Sequence, residues 1–340
     1  MSNTEKHPAA FSLEPAAPHC ENDGRVELLN PRAVPLGGFQ SITVHRTIPQ
    51  RQRSFIGAWC FSDHYGLDCV QPGGGMDVAP HPHTCLQTVS WLFDGEIDHH
   101  DTAGNHAVVL PGEANFMTAG AGIAHSEVST QSTRTLHGVQ LWTALPDAAR
   151  FTTPRFDHYV PDTVNLAAAH ARVFVGDLFG ESSPVSTFTP LLGAEVRLAA
   201  GKTLTIETNP EFEHGLLLDT GTIELEGVDI TPTKMAYTGI GERTLRVENT
   251  GNTEARFILL GGEPFDESIV MWWNFIGRNT EEIRQFRTEW MDAGPRFGTE
   301  HGYIGHDPSG ELRIDAPELT SMRLKPRTNP APIARPQLNN

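Results

Sequence analysis

Cysteine is scarce in this chain: there are four in 340 residues (Cys20, Cys60, Cys69 and Cys85), and no two form a CxxC pair. That is too few for a disulfide scaffold and suits a reducing cytoplasm, the compartment expected for the protein. Basic residues are also few. Lys plus Arg number 25 against 42 acidic residues, a net charge of −17, with no basic stripe. Such a chain repels a phosphate backbone and the anionic face of a membrane, so neither nucleic acid nor membrane is an expected partner. No apolar run approaches the ~20 residues needed to cross a bilayer. The start, MSNTEKHPAA, lacks the basic cluster and apolar stretch of a secretory leader. GxSxG is missing, as is GxGxxG in a βαβ setting, which leaves nucleophilic hydrolysis and dinucleotide binding without support.

What is plentiful is turn chemistry, with 32 Gly and 25 Pro. That excess argues against a helical bundle. The length fits one large or two modest domains, either able to bury a real core. From 42 to 145 the chain reads as short strands: 86–93 (LQTVSWLF), 106–110, 114–118, 123–128 and 136–143, separated by turns such as DGE, TAGN, PGE and TAGAG. A second strand-rich block runs from 191 to 262, with strands at 195–198, 203–208, 215–219, 222–225, 244–248 and 255–260. Short strands at this spacing indicate a sandwich or barrel, so the fold class is all-β. WLFDGEI (91–97) is matched by LLLDTGTI (216–223), and LPGEANFMTAG (110–120) by ITPTKMAYTG (230–239), as two copies of one β-unit would be. The segment 146–190 reads as a connection, its Ala-rich piece 166–171 open to a short helix. One clear helix is predicted after Asn279, whose side chain can cap it, with Glu282 completing a capping-box pair and Ile283, Phe286 and Trp290 on one face.

The chemistry concentrates in two short segments. In a strand, residues i and i+2 share a face. Ala79-Pro80-His81-Pro82-His83 therefore aims two imidazoles one way, and Gly122-Ile123-Ala124-His125-Ser126-Glu127 aims an imidazole and a carboxylate. With 16 histidines a chance His-x-His is unsurprising; the pairing with His-x-Glu after a Gly-rich turn carries the signal. Three nitrogens and one carboxylate with coordination positions to spare suit Fe(II), Mn, Ni or Cu better than a closed structural zinc site, although catalytic zinc stays open. Glu127 is open to two roles, ligand or base. Cys85, alternating with His81, His83 and Gln87, is expected to face the same interior. His64 and His137 have two readings, as donors that orient the ligands through hydrogen bonds or simply as hydrogen-bonded buried histidines. His99 and His100 are adjacent, so on a strand they point to opposite faces and one could sit near the site, but they read as structural or surface residues of a turn. Trp272 and Trp273 read as interdomain packing, and Met117–Gly122 as a turn that brings backbone close to the site. His214 has no HxH or HxE beside it, so no second metal is expected.

The stretch HPHTCLQTVSWLFDGEIDHHDTAGNHAVVLPGEANFMTAGAGIAHSE (81–127) resembles the pirin family of the cupin superfamily. It carries in order that family's HPH opening, T-V-x-[YW] strand, G-E turn, H-x-D-S/T-x-G turn and P-G-x-x-x-x-M-T-A-G-x-G-I-x-H-S/A-E segment. The likeness extends more loosely through FIGAWCFSDHYG (55–66), HGVQLW (137–142) and the 190–290 region.

The resemblance implies a monomeric bicupin of two facing β-barrels with a short C-terminal helix. The implied order is an arm (1–35), a metal-binding cupin barrel (36–145), a connection (146–190), a cupin barrel without metal (191–262), a helix region (263–300) and an extended tail (301–340), with 318–340 read as mobile. It implies one metal ion, Fe(II), held by His81, His83, His125 and Glu127. Two functions follow from it and both stay open. One is a quercetin 2,3-dioxygenase-type enzyme acting with oxygen on flavonols or related phenolics, Glu127 taking the substrate's hydroxyl proton. The other is a non-enzymatic, redox-sensing iron protein that modulates a transcription regulator or another protein partner. There are departures: many pirins read HPHRGFETV, where Thr84, Cys85, Leu86 and Gln87 stand here.

Overall fold

The computed structural model describes residues 26–36, 42–66, 75–299, 301–303, 305 and 313–319. These residues form two β-sandwiches of matching design. In the first, a seven-stranded sheet runs in the order Arg155–Tyr159, Ala114–Thr118, Leu86–Asp94, His137–Ala144, Trp59–Tyr65, Ile42–Ile48 and Arg32–Leu36. Its four-stranded partner sheet is Asp77–His83, Ile123–Ser129, Ile97–Asp101 and His106–Val109. In the second, the order is Glu27–Leu29, Met235–Thr238, Glu213–Thr220, Ala255–Gly262, Leu191–Leu198, Ala169–Val175 and Val164–Asn165, faced by Thr203–Glu207, Thr244–Asn249, Ile223–Leu225 and Val228–Ile230.

The internal repeat maps onto this symmetry. Leu86–Asp94 and Glu213–Thr220, which hold most of the first matched pair, each take third place in their large sheets, and Ala114–Thr118 and Met235–Thr238 each take second place. The edge strands are exchanged. Glu27–Leu29, within the expected arm, pairs with Met235–Thr238 of the second sandwich, whereas Arg155–Tyr159 of the expected connection pairs with Ala114–Thr118 of the first. The Ala-rich piece is no helix. Its end enters the strand Ala169–Val175, because alternate residues Ala169, Ala171 and Val173 bury against the second core.

The pattern of each strand follows its surroundings. Thr203–Glu207 alternates exposed and buried residues, as a strand with one wet face must. Ala255–Gly262 reads as an apolar run because both faces are covered: Phe257 and Leu259 enter the second core, and Ile258 and Leu260 face the first sandwich. That shared layer joins the halves. Trp91 stacks on Phe174 at 4.8 Å and donates to Glu195 at 2.8 Å, and the Trp59 indole donates to the Leu192 and Gly261 carbonyls.

The chain then returns to the first sandwich. The hairpin Val270–Trp272/Phe275–Gly277 and the helix Thr280–Met291 pack on it through Trp272, Trp273, Phe275, Phe286 and Trp290. The two tryptophans are buried there, against the first sandwich. Asn279 caps the helix by accepting from the Glu282 N–H at 2.9 Å. The Glu282 carboxylate does not close the capping box; it accepts instead from the Arg278 N–H and from the Arg150 guanidinium. Part of the expected tail is also anchored. Ile314 donates its N–H to the Pro80 carbonyl at 2.8 Å, and Trp290 donates to the Ile314 carbonyl. Residues 320–340, most of the expected mobile tail, lie outside the described residues. Among those described, no helix is long and apolar enough to cross a membrane.

Candidate metal centre

His81 and His83 lie on Asp77–His83, and His125 and Glu127 on Ile123–Ser129. The two strands are antiparallel neighbours with His125 opposite His81 and Ile123 opposite His83, and a bulge between His125 and Glu127 shifts the register. Alternation within each strand, combined with this register, turns all four side chains into the first sandwich, where each is at most 1 % exposed. The three imidazole centroids lie 4.3–5.0 Å apart, and the Nε2 atoms of His83 and His125 face each other at 3.1 Å. The Glu127 carboxylate comes within 4.0 Å of His125 Nε2.

The donor chemistry fits a metal ion. His81 donates from Nδ1 to the Ala79 carbonyl at 3.0 Å, which leaves its buried Nε2 with a bare lone pair and no partner among the described residues. An unsatisfied buried polar atom is costly, so a site that leaves one there is suited to a cation. Burial pushes the His81 pKa down to about 3 and those of His83 and His125 well below the usual value; for His83 the Asn274 backbone works against the fall. All three are neutral at pH 7, the form that binds metals.

The same shifts set an acid sensitivity. Between an unfolded value of 6.5 and a folded value of about 3, the unfolded chain binds more protons at His81. Stability therefore rises with pH across that window and falls on acidification. The metal-free protein is expected to lose about 1.4 kcal/mol per pH unit for each such histidine below pH 6.5. Urea midpoints from pH 7 to pH 5 measure this; a flat profile would contradict it.

The interior around the cluster is partly aromatic. Trp142 presents its ring edgewise to His83 at 5.1 Å and stacks on Phe61 at 4.0 Å. Tyr65 is fully buried, and burial, then the Glu127 and Asp63 carboxylates, hold its pKa well above 10, so it stays a protonated donor. Nothing in the run FSDHYG singled out Tyr65; its place depends on the pairing of Trp59–Tyr65 with Ile42–Ile48 and His137–Ala144. His99 also belongs here. It stands opposite Glu127 in the neighbouring strand, with its Nδ1 3.3 Å from that of His125, so it is not the turn residue expected. His100, the next residue, points outward and stacks on His106.

Other expectations are corrected. His64 and His137 do not orient the ligands: both donate from Nε2 to Asp219 of the second sandwich, at 2.6 and 2.5 Å. Gln87 lies on the face it shares with Val89 and Trp91 and donates to Thr118 at 3.0 Å. Cys85 sits in the turn between two strands with φ of 57°, so strand alternation does not carry through it. Its thiol lies near Arg150, and burial pushes its pKa up to about 11. A thiol so placed is unreactive. In a Cys20→Ser/Cys69→Ser background, Cys85 is expected to resist iodoacetamide at pH 8 until urea unfolds the protein; rapid labelling of the folded form would refute this. Cys20 and Cys69 lie outside the described residues. The Met117–Gly122 turn brings backbone close to Thr152 and Arg296: a Cβ on Gly120 would meet the Thr152 carbonyl at 2.0 Å.

In the second sandwich the strands equivalent to the ligand-bearing pair, Thr203–Glu207 and Thr244–Asn249, bury Leu204, Ile206, Leu245 and Val247, which offer no ligand. His214 is part of the buried interior.

Comparison with known proteins agrees with this architecture. The family pattern described as Pirin matches residues 41–143, and that of the Pirin C-terminal cupin domain matches 193–298, together well over half the chain. The chain belongs to the pirin family. Its pirin fold is a bicupin, with the histidine cluster in the first cupin domain. A Pseudomonas aeruginosa protein named "Putative quercetin 2,3-dioxygenase" is 41 % identical over 300 residues, covering 88 % of this chain and 93 % of its own. A pirin-like protein of Caulobacter vibrioides is 34 % identical, covering 75 % and 89 %. The crystal structure of a quercetin 2,3-dioxygenase from Acinetobacter baumannii superposes with a TM-score of 0.82 at 34 % identity, over 88 % of this chain and 98 % of its own.

Proposed function

We propose that this pirin is a dioxygenase that holds one Fe(II) ion in its first cupin domain through His81, His83, His125 and Glu127 and acts on flavonols of the quercetin type or related phenolics. The observation that carries the proposal is the convergence of three buried, neutral imidazoles beside one buried carboxylate. The likeness to proteins named for quercetin dioxygenation supplies the reaction class. A mixed nitrogen and oxygen donor set with positions to spare suits Fe(II) better than a closed structural zinc site. Bound there, the ion would acidify a phenolic hydroxyl and bring substrate and oxygen together.

The chain's own residues would do the rest. Glu127 is the base for the substrate hydroxyl proton, being buried beside the ligand nitrogens. Trp142 and Phe61 supply an apolar, aromatic wall that suits a flat ring system and keeps water out. Tyr65 supplies a protonated hydroxyl to orient a substrate oxygen. Buried thiols at Cys60 and Cys85 suit work in the reducing cytoplasm.

The test is oxygen consumption by anaerobically iron-loaded protein with quercetin and related catechols. Uptake that requires both iron and phenolic substrate supports the enzyme. No uptake by protein with iron confirmed bound would overturn the dioxygenase reading and turn the question to a protein partner sensitive to the iron oxidation state.

A further inference from the structure

We propose that His99 and Asp101 form a hydrogen-bonded relay behind His125 that fixes its tautomer and ring orientation and so tightens metal binding at this site. The proposal rests on the metal reading above and concerns residues outside the four proposed ligands.

The argument starts from two nitrogens. His125 Nε2 lies 3.1 Å from His83 Nε2, on the side where the ligand atoms converge. His125 Nδ1 lies 3.3 Å from His99 Nδ1. A contact between two ring nitrogens at that distance, with no ion between them, holds one proton, not two or none. For His125 to offer the Nε2 lone pair, the proton sits on its Nδ1 and His99 Nδ1 accepts it. With Nδ1 accepting, the ring proton of His99 is on Nε2, which lies 3.5 Å from Asp101 Oδ2. Asp101 can only accept, and it is itself held: the Ala103 and Asn105 N–H groups donate to it at 2.9 and 3.0 Å, and the Asn105 amide reaches both of its oxygens at 3.0 Å. Each link thus admits one arrangement of protons.

Register builds the relay. Ile97–Asp101 pairs with Ile123–Ser129 so that Asp101 stands opposite His125 and His99 opposite Glu127. His99 and Asp101 are i and i+2 on the buried face, at 3 % and 6 % exposure. Phe156, brought in by the strand from the connecting segment, packs against His99 at a centroid distance of 5.0 Å. His81 has its Nδ1 fixed by the Ala79 carbonyl; His125 has a carboxylate-backed imidazole instead, a stronger acceptor that raises ligand basicity.

The test is the Fe(II) dissociation constant of full-length protein, measured anaerobically by competition with a chromophoric chelator. His99→Leu removes the acceptor and is expected to weaken binding by about 10–100-fold. His99→Asn puts an amide oxygen where Nδ1 was and is expected to recover most of the loss, with Asp101→Asn between the two. In the metal-free protein, the Nδ1–H proton of His125 is expected as a hydrogen-bonded NMR resonance that His99→Leu removes. Parent-like affinity in His99→Leu, or equal weakness in His99→Asn and His99→Leu, would overturn the relay, as would persistence of that resonance in His99→Leu. Equal Fe(II) binding by the parent and His83→Ala would instead overturn the metal reading, and the relay with it.

Discussion

Replacing His83 with alanine is expected to weaken Fe(II) binding by more than about 100-fold and to abolish iron-dependent oxygen uptake with quercetin. Loss of a residue that only supports a ligand costs about 10–100-fold in metal affinity, so loss of a ligand itself exceeds that range. The geometry argues for His83 as the residue to remove. Its Nε2 is 3.1 Å from that of His125, its ring is fully buried, and Trp142 packs against it from the side. Alanine leaves His81 and His125 on opposed strands with a gap between their partners. The same substitution removes one buried, neutral histidine, so the metal-free variant is also expected to lose less stability on acidification than the parent. Chelator competition and an oxygen electrode measure the first effect, and urea titration at two pH values the second. A variant that binds iron as tightly as the parent would remove His83 from the ligand set.

Replacing Asp219 with alanine is expected to cost roughly 3–5 kcal/mol of stability, the range for removing one partner from a buried ion pair. Asp219 is 1 % exposed and stands between the sandwiches. It accepts from His64 and His137 of the first half and, at 2.6 Å, from the Arg256 guanidinium of the second. Arg256 also donates to His137 Nδ1 at 3.3 Å and lies over the Phe93 ring at 4.0 Å. Alanine would leave the Nε–H of the half-buried Arg256 guanidinium and two buried imidazole N–H groups without the acceptor they share. Burial alone would raise the Asp219 pKa, but the hydrogen bonds from His137 and His64 hold it well below the usual carboxylate range. Its contribution is therefore complete above pH 4 and is lost only as the pH falls below that. Asp219→Asn keeps the shape and loses the charge, so its cost should be smaller. Urea unfolding at pH 7 decides the matter, and a loss below about 1 kcal/mol would reduce the network to an ordinary hydrogen bond.

Much of this protein was legible in its sequence because the relevant signals are local. His81 with His83, and His125 with Glu127, are i and i+2 pairs, and strand periodicity alone puts each pair on one face. Asn279 with Glu282, followed by Ile283, Phe286 and Trp290, declares a capped amphipathic helix within one segment. The two repeats declare a duplicated unit, and matching places in the two large sheets bear this out. Tertiary structure decided the rest, because each remaining feature depends on which distant strands pair and in what register. His99 enters the site only through its position opposite Glu127. His64 and His137 turn away from it only because Asp219 comes in from the other half. Cys85 stays buried but turns its thiol toward Arg150, because a left-handed residue between two strands resets the alternation that the sequence would carry straight through. Local chemistry named the proposed ligands; long-range pairing, which no short window of sequence records, determined what surrounds and supports them.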